Sequence, residues 1–340
     1  MSLLSIFTII TFSFSAFANS SYDAHLIVKE NPEIARRFDF IKSIKLKNKV
    51  TIAVIGDYIH TDIFAERIEY NAKEIEGNNI DDDKNGYIDD YAGLDLNTKN
   101  GLLSTPVRSG HENAVVSLLD SFILDNHLED KIKLIPINVT SADNSFDDQY
   151  MKKVADAIDY ARTRGAKVIT MSIGVSGIFD SFFRFIANDV KKSREYYNKA
   201  IKRAHDEGII LVASNSNDPD RDLAKEPVLP ANSDNVIAVA NVNYEGKIQS
   251  AYGENVDLAY YGTNIYIWGG RAEGYRFVKG ASFSTPLVAL TAAVAKSLRP
   301  KLSYQDIPLF KKSCEKPISG KKNIASRCIF SPEQLINKML

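Results

Sequence analysis

Uninterrupted apolar runs of strand length alternate along the chain with segments whose apolar residues recur at helical spacing. Helical spacing occurs at 148–166, which ends near Gly165, and at 193–208, which stops at Gly208. Continuous apolar runs are typical of strands that are buried on both faces. We therefore predict an α/β fold of three layers, with a mostly parallel central sheet and helices on both of its faces. The predicted strands lie at 49–57, 131–140, 167–174, 209–217 and 234–243.

A further helix is predicted from Pro286 to about Leu298, and it is apolar almost all round, so we expect it to be buried. Three hydroxyl side chains, those of Ser282, Ser284 and Thr285, stand at its start. In one interpretation Ser284 or Thr285 caps the helix and Pro286 occupies its first turn, where a missing N–H costs nothing. In the other, Ser282 is a nucleophile presented at a buried helix N-terminus. The stretch on its own favours capping.

The composition is that of an ordinary globular protein with a substantial core. The 340 residues are 44% hydrophobic and 25% charged. The formal net charge is −1, which gives no electrostatic basis for binding nucleic acid or an anionic membrane surface. We expect neither as a partner.

The first residues have the features of a secretory signal peptide. An apolar run extends from Leu3 to Phe17, and the segment 16–18 reads Ala-Phe-Ala, a cleavage site of the A-x-A type. We predict a signal peptide at 1–18 that is cleaved before Asn19, because the run is too short for a membrane anchor. The expected location is secreted or periplasmic, with no membrane anchor after signal removal.

Two cysteines, Cys314 and Cys328, lie near the C-terminus. In an exported protein they are expected to form a disulfide that closes a short loop. The alternative is a pair of reduced, buried thiols.

Polar residues follow three of the predicted strands. Ligands of open parallel sheets bind beyond the carboxyl ends of the strands, which directs attention to these positions. They are Gly56-Asp57, Ser172-Ile173-Gly174 and Asn215-Ser216-Asn217.

Three segments carry a resemblance to a known family. The segment 280–286, GASFSTP, resembles the motif Gly-Thr-Ser-x-Ala-x-Pro that surrounds the serine of subtilisin-like serine proteases. The segment 110–116, GHENAVV, is similar in part to the histidine motif of that family, and 212–217, VASNSN, resembles its oxyanion segment. The likeness extends from about Val50 to Leu298. It implies a subtilisin-like peptidase domain at 49–300, between a short N-terminal extension at 19–48 and a C-terminal extension at 301–340 that contains the cysteines.

The resemblance implies a serine endopeptidase acting on polypeptide substrates, and we expect a monomer. His111 would be the general base, because an imidazole has a pKa near neutrality, and Ser282 would be the nucleophile. Asn217 and the Ser282 N–H would stabilise the oxyanion, with Asn215 as a rival for the amide. The residues Ser172, Ile173 and Gly174 would form the edge that pairs with an extended peptide.

The chain departs from the family at the aspartate. The family has Asp directly after the first strand, whereas here Gly56 comes first and Asp57 second. Side chains alternate along a strand, so Asp57 could orient His111 only if the backbone bulges at Gly56. Without that bulge the chain would be a catalytically impaired pseudoprotease that binds extended peptides or has a structural role. Glu112, beside the histidine, would raise the pKa of the imidazole.

An acidic stretch at 78–91 has the spacing of a calcium loop. Asp81 stands at position 1, and Gly86 at position 6 provides the sharp turn. Position 12 is Ala92 rather than Glu, and Asp90 could substitute from a different path of the loop. The alternative is a solvated acidic turn. The remaining oxygen ligands of a structural Ca²⁺ would come from Asp83, Asn85 and Asp89 and from the carbonyl of Tyr87.

Overall fold

The computed structural model describes residues 21–101, 110–140, 150–174 and 187–340. The predicted signal peptide at 1–18 lies outside the described residues, and it stays a prediction.

Within these ranges the chain forms one large sheet, a two-stranded ribbon and helices on both sides of the sheet. The strands are β1 (Val50–Gly56), β2 (Leu94–Asp95), β3 (Asn100–Gly101), β4 (Ile132–Asn138), β5 (Val168–Met171), β6 (Ile210–Ser214), β7 (Val236–Val242), β8 (Leu258–Tyr261), β9 (Thr263–Trp268), β10 (Tyr275–Lys279), β11 (Cys314–Pro317) and β12 (Cys328–Phe330). The helices are α1 (Ala24–Glu30), α2 (Pro32–Phe38), α3 (His111–Asp125), α4 (Tyr150–Thr163), α5 (Ala187–Asp206), α6 (Ala281–Leu298), α7 (Ile307–Lys311) and α8 (Pro332–Asn337).

The described strands of the large sheet follow the order β11-β12-β8-β7-β6-β5-β1-β4-β2-β3. From β12 to β2 all neighbours pair in parallel, and the two outermost pairs, β11·β12 and β2·β3, are antiparallel. Each strand predicted from an apolar run is present. The prediction of a mostly parallel sheet is therefore confirmed.

The central strand β1 separates two hydrophobic cores. Ile52 and Val54 belong to the core that contains α3 and α6, whereas Ala53 and Ile55 belong to the core that contains α4 and α5. Strand side chains alternate between faces, and this gives the three predicted layers. By the same alternation, position 56 faces α3 and α6.

The helix that carries Ser282, α6, begins earlier than predicted. α6 starts at Ala281, with Gly280 as its N-cap, and Pro286 lies inside the helix. The Ser284 hydroxyl donates to the carbonyl of Tyr260 (2.9 Å), and that of Thr285 donates to the carbonyl of Ala281 one turn back (2.8 Å). The capping interpretation is therefore wrong, because both hydroxyls satisfy carbonyls.

By length and composition α6 could cross a membrane, but all of its residues are buried inside the protein. It packs against the parallel strands as the central helix of one core, which explains its apolar character on every side.

The two terminal extensions contribute to this same core. Ile27 and Phe38 from the N-terminal side and Phe330 and Leu335 from the C-terminal side are fully buried or nearly so. The disulfide between Cys314 and Cys328 joins β11 to β12 and thereby fixes the edge of the sheet. The boundaries drawn at residues 48 and 300 stay predictions.

We expect Phe38→Ala to lower the free energy of unfolding by about 3–5 kcal/mol, because its fully buried ring would leave a cavity. The ring lies 5.4 Å from that of Phe122 and 6.4 Å from that of Tyr260. Urea denaturation followed by fluorescence measures the change. Phe277→Ala is the control, since that ring is 51% exposed, and equal losses in both variants would contradict the role of the N-terminal segment in the core.

Candidate active site

The carboxyl ends of β1, β5 and β6 form one edge of the sheet. Met171 of β5 is paired with Ile55 of β1 on one side and with Ala213 of β6 on the other. The segments that follow these three strands therefore emerge next to one another. The N-termini of α3 and α6 reach the same region, since the ring of His111 lies 6.1 Å from that of Phe283.

Ser282 is the second residue of α6 and is 6% exposed. It forms a reciprocal pair with Ser172, which follows β5. The Ser172 hydroxyl donates to the Ser282 carbonyl (2.9 Å), and the Ser282 hydroxyl donates to the Ser172 carbonyl (3.4 Å). Pro286 explains the first bond, because a proline four residues later has no N–H to offer that carbonyl. The proline thus frees an acceptor that ties the serine to the end of β5.

Asn217, two residues beyond the buried Asn215, lies over the start of α6. Its Oδ1 accepts the N–H of Ala281 (2.9 Å), and a Cβ placed on Gly280 would come within 3.2 Å of its Nδ2. Oδ1 is therefore occupied, and Nδ2 carries no hydrogen bond to any described residue. The side chain is exposed, so Nδ2 is available to a bound group.

The rival amide, Asn215, has a structural contact instead. It is 4% exposed, and its Nδ2 donates to the carbonyl of Ala251 (2.7 Å). That bond fixes the loop after β6, and it makes Asn217 the better candidate for an oxyanion donor.

His111 is the first residue of α3, and its side chain is 40% exposed. The residue before it, Gly110, donates its N–H to Glu273 (3.1 Å) in the connection between β9 and β10. This contact holds the start of α3 against the ribbon. Nothing in the sequence indicated Glu273.

The structure lacks the backbone bulge on which the assignment of Asp57 depended. β1 keeps a regular register with β4 as far as Gly56, which is paired with Asn138, so the strand does not bulge there. Asp57 Oδ1 accepts the N–H of Tyr58 (2.7 Å). The Nδ1 atom of His111 is bonded instead to Glu112 Oε2. Asp57 itself follows the end of β1, and the bulge that was expected to bring it to His111 is absent.

Glu112 is fully buried between α3 and β1. Its Oε1 lies against Gly56 so closely that a Cβ at position 56 would overlap it. Oε1 has no hydrogen-bond partner in the described part of the chain. The sequence contained two signals of this arrangement, a glutamate directly after the histidine and a glycine at the end of the buried strand.

The two partners alter each other's protonation. Burial lowers the pKa of His111, but its charge attraction to Glu112 and their hydrogen bond outweigh burial, so the pKa is raised overall. Burial raises the pKa of Glu112, and the attraction of His111 only partly opposes that rise. Asp57 raises both pKa values, whereas Arg276 lowers that of His111.

The predicted substrate edge follows β5. Ser172 is buried and bonded to Ser282, Ile173 is half-buried, and Gly174 is exposed. A Cβ on Gly174 would lie 3.3 Å from Val228 Cγ1, so the edge passes close to the loop before β7. These placements leave the backbone at Gly174 open to solvent.

Side-chain oxygens of the acidic loop accept hydrogen bonds from backbone N–H groups of the same loop. Asp81 accepts the N–H groups of Asn85 (3.0 Å) and Gly86 (2.8 Å), and Gly86 adopts a φ of +96°. Asp89 accepts two further N–H groups, those of residues 78 and 79. Asn85 Oδ1 accepts the N–H of Tyr87 (2.9 Å).

Three carboxylates converge beneath this loop. Oxygen atoms of Glu74, Asp83 and Asp90 all lie within 4.8 Å of one another, and Glu74 Oε2 is buried without a hydrogen-bond partner among the described residues. Burial raises the pKa of Glu74, and the neighbouring carboxylates raise it further. Of the three, only Asp83 belonged to the predicted ligand set, and Asp90 was the alternative.

The parallel sheet carries a buried serine at a helix N-terminus and a histidine whose ring lies 6.1 Å from that of the next residue, Phe283. These features define an α/β protein with a candidate serine-hydrolase site. The sequence profile of the Subtilase family matches residues 47–310. The chain therefore belongs to the subtilase family.

The similar proteins agree with this membership. Subtilisin-like protease 1 of Plasmodium falciparum (isolate 3D7) is 30% identical over 276 residues, or 74% of this chain and 37% of the relative. The protein of the same name from Plasmodium vivax is 27% identical over 308 residues, or 80% and 45%. The chain thus spans less than half the length of these curated relatives.

Solved structures show the same fold at low identity. A lanthipeptide protease superposes with a TM-score of 0.67 at 15% identity, covering 95% of this chain and 96% of that one. The prenylagaramide maturation protease PagA superposes with a TM-score of 0.60 at 18% identity, covering 91% and 99%.

Proposed function

We propose that this chain is a serine endopeptidase that hydrolyses polypeptides held in extended form. Two observations around Ser282 carry the proposal. Asn217 accepts the N–H of Ala281, the residue before the serine, and the ring of His111 lies 6.1 Å from that of Phe283, the residue after it. Membership of the subtilase family supports it.

The chemistry follows from these positions. The Ser282 oxygen attacks the peptide carbonyl carbon while its proton passes to the imidazole of His111. The negative charge then moves to the former carbonyl oxygen. Two donors are suited to it, the Nδ2 of Asn217 and the N–H of Ser282, which has no acceptor within the first turn of its helix. The helix dipole of α6 favours the same charge.

The substrate would bind by adding a strand beside Ser172, Ile173 and Gly174. Strand addition uses main-chain hydrogen bonds, so it accepts many peptide sequences. The exposed position of Gly174 supports this mode.

We further propose that the protein works outside the cytoplasm, secreted or periplasmic. The disulfide between Cys314 and Cys328 supports this location, because such bonds persist in oxidising compartments. The monomeric state stays a prediction.

The competing proposal is a pseudoprotease that binds extended peptides without turnover. Asp57 accepts the N–H of Tyr58, and Nδ1 of His111 is bonded to Glu112. This departure from the family pattern favours the pseudoprotease, since replacing the orienting aspartate of a serine triad costs about 10⁴ in turnover.

A serine-directed fluorophosphonate probe separates the two proposals. We expect the full chain to be labelled, because His111 activates the Ser282 hydroxyl, and we expect Ser282→Ala to remain unlabelled. In-gel fluorescence measures the labelling, and circular dichroism shows that both proteins are folded. Absence of labelling in folded wild-type protein would favour the pseudoprotease.

Asn217→Ala should lower kcat by about 10²–10³, because it removes an oxyanion donor, and it should lower the thermal midpoint only modestly, because it also removes the acceptor of the Ala281 N–H. The matched control is Asn215→Ala, which removes a buried bond to Ala251 and should reduce stability rather than kcat. Hydrolysis of a fluorogenic peptide and a thermal melt measure both quantities. A larger loss of kcat in the Asn215 variant would reverse the assignment.

We also propose that the acidic loop binds a structural Ca²⁺. Glu74, Asp83 and Asp90 supply the oxygen ligands that this ion prefers, and the unpartnered, buried Oε2 of Glu74 supports a cation there. Asp81 and Asn85 would shape the loop around the ion.

Calcium should raise the thermal midpoint, because an ion that binds only the folded state stabilises it by about 2.7 kcal/mol at 100 times its Kd. Differential scanning calorimetry with CaCl2 or EGTA measures the shift. Glu74→Gln should abolish most of it, whereas Glu76→Gln, at an exposed position just before the loop, should retain it. An identical midpoint in CaCl2 and EGTA would rule out this site.

A further inference from the structure

His111 has a carboxylate partner that does not come from the end of β1. Glu112 Oε2 is bonded to Nδ1 of the ring, while Asp57 is bonded to the backbone of Tyr58. We propose that Glu112 is the positioning residue that orients His111 as the base. This inference rests on the proposed function.

The burial of Glu112 indicates that its bond to His111 is not an incidental contact at the surface. Its side chain is 0% exposed, and a buried carboxylate without a partner is strongly disfavoured. In the described part of the chain its Oε1 has no hydrogen bond, so the bond of Oε2 to His111 is its principal compensation. Buried carboxylates with perturbed pKa values are concentrated at functional sites.

Gly56 provides the space that Glu112 occupies. A Cβ at position 56 would overlap the carboxylate, so any other residue there would displace Glu112 from the ring. Gly56 continues the regular pairing of β1 with β4. The glycine therefore gives room to a side chain from the neighbouring helix.

The bond also fixes the tautomer of the imidazole. An ionised carboxylate can only accept, so Nδ1 must carry its hydrogen and Nε2 keeps its lone pair. When Ser282 attacks, its proton goes to Nε2, and the resulting imidazolium is stabilised by the Glu112 charge.

Several charged or titratable groups face this pair from other elements. Asp57 follows β1, Arg276 lies on β10, and both influence the pKa of His111. Burial raises the pKa of Tyr150 on α4, and the charges of Glu112 and Asp57 raise it further. Without the Glu112 charge, burial and Arg276 would remain to lower the pKa of His111, and Asp57 would remain to raise it.

Glu112→Gln is the decisive variant, with Asp57→Asn as its matched control. Glutamine keeps the shape of the side chain but removes the charge. We expect kcat to fall by about 10³–10⁴ in Glu112→Gln and by less than about tenfold in Asp57→Asn. The acidic limb of the kcat/KM profile should move to lower pH in Glu112→Gln, because the base would then have a lower pKa. A greater loss in Asp57→Asn than in Glu112→Gln would overturn the proposal.

Transfer of the carboxylate to the strand gives an independent test. Gly56→Asp alone should destabilise the protein, because its side chain would collide with Glu112. Combined with Glu112→Ala, the aspartate would enter the vacated space and should restore kcat at least about tenfold over Glu112→Ala alone. A double variant that folds, by circular dichroism, but shows no recovery would count against the proposal.

An NMR titration of the histidine ring signals keeps the inference testable even if the chain proves inactive. The chain has five histidines, and the His111 signal is assigned by its loss in His111→Asn. We expect the His111 pKa to be lower in Glu112→Gln than in the wild type. An unlabelled but folded wild type with this shift would refute the peptidase proposal alone. An active wild type whose His111 pKa does not change in Glu112→Gln would refute the role of Glu112 alone.

Discussion

The alternation of side chains along β1 is the constraint on which the site depends. This strand is buried on both faces, so each residue must point into one of two hydrophobic cores. A register slip of one position would move Ile52 and Val54 into the opposite core. The free energy lost by such a slip would far exceed the free energy gained from one well-oriented carboxylate. The strand therefore keeps its register through Gly56. The carboxylate that is bonded to His111 comes from α3 instead of from the end of β1.

Much of the fold could be predicted from the sequence, because parallel strands buried on both faces leave continuous apolar runs. The five predicted strands are present, and the parallel sheet follows from their spacing with helices. The start of the serine helix could not be predicted, since Pro286 inside a helix conflicts with the usual rule. Only the tertiary contact between Ser172 and the Ser282 carbonyl shows why the helix begins five residues earlier.

The candidate site was predictable in part. Motif resemblance indicated Ser282, His111 and Asn217, because these residues belong to short local segments. Glu112 was not predicted as the partner of His111. The hypothesis from the sequence was instead that a bulge at Gly56 would bring Asp57 to the histidine. Glu74 was not predicted as a ligand, because it precedes the acidic loop in the sequence and approaches Asp83 and Asp90 only in the folded chain.

Adjacent positions in one helical turn hold both the imidazole and its carboxylate. Their separation is governed by a single peptide linkage, so a rigid displacement of α3 would carry the two groups together. Such a displacement would alter the approach of the imidazole to Ser282 and its distance from Asp57 and Arg276, while the bond between His111 and Glu112 was kept. A mutation in the body of α3 can therefore change access to the nucleophile without breaking the bond that orients the base.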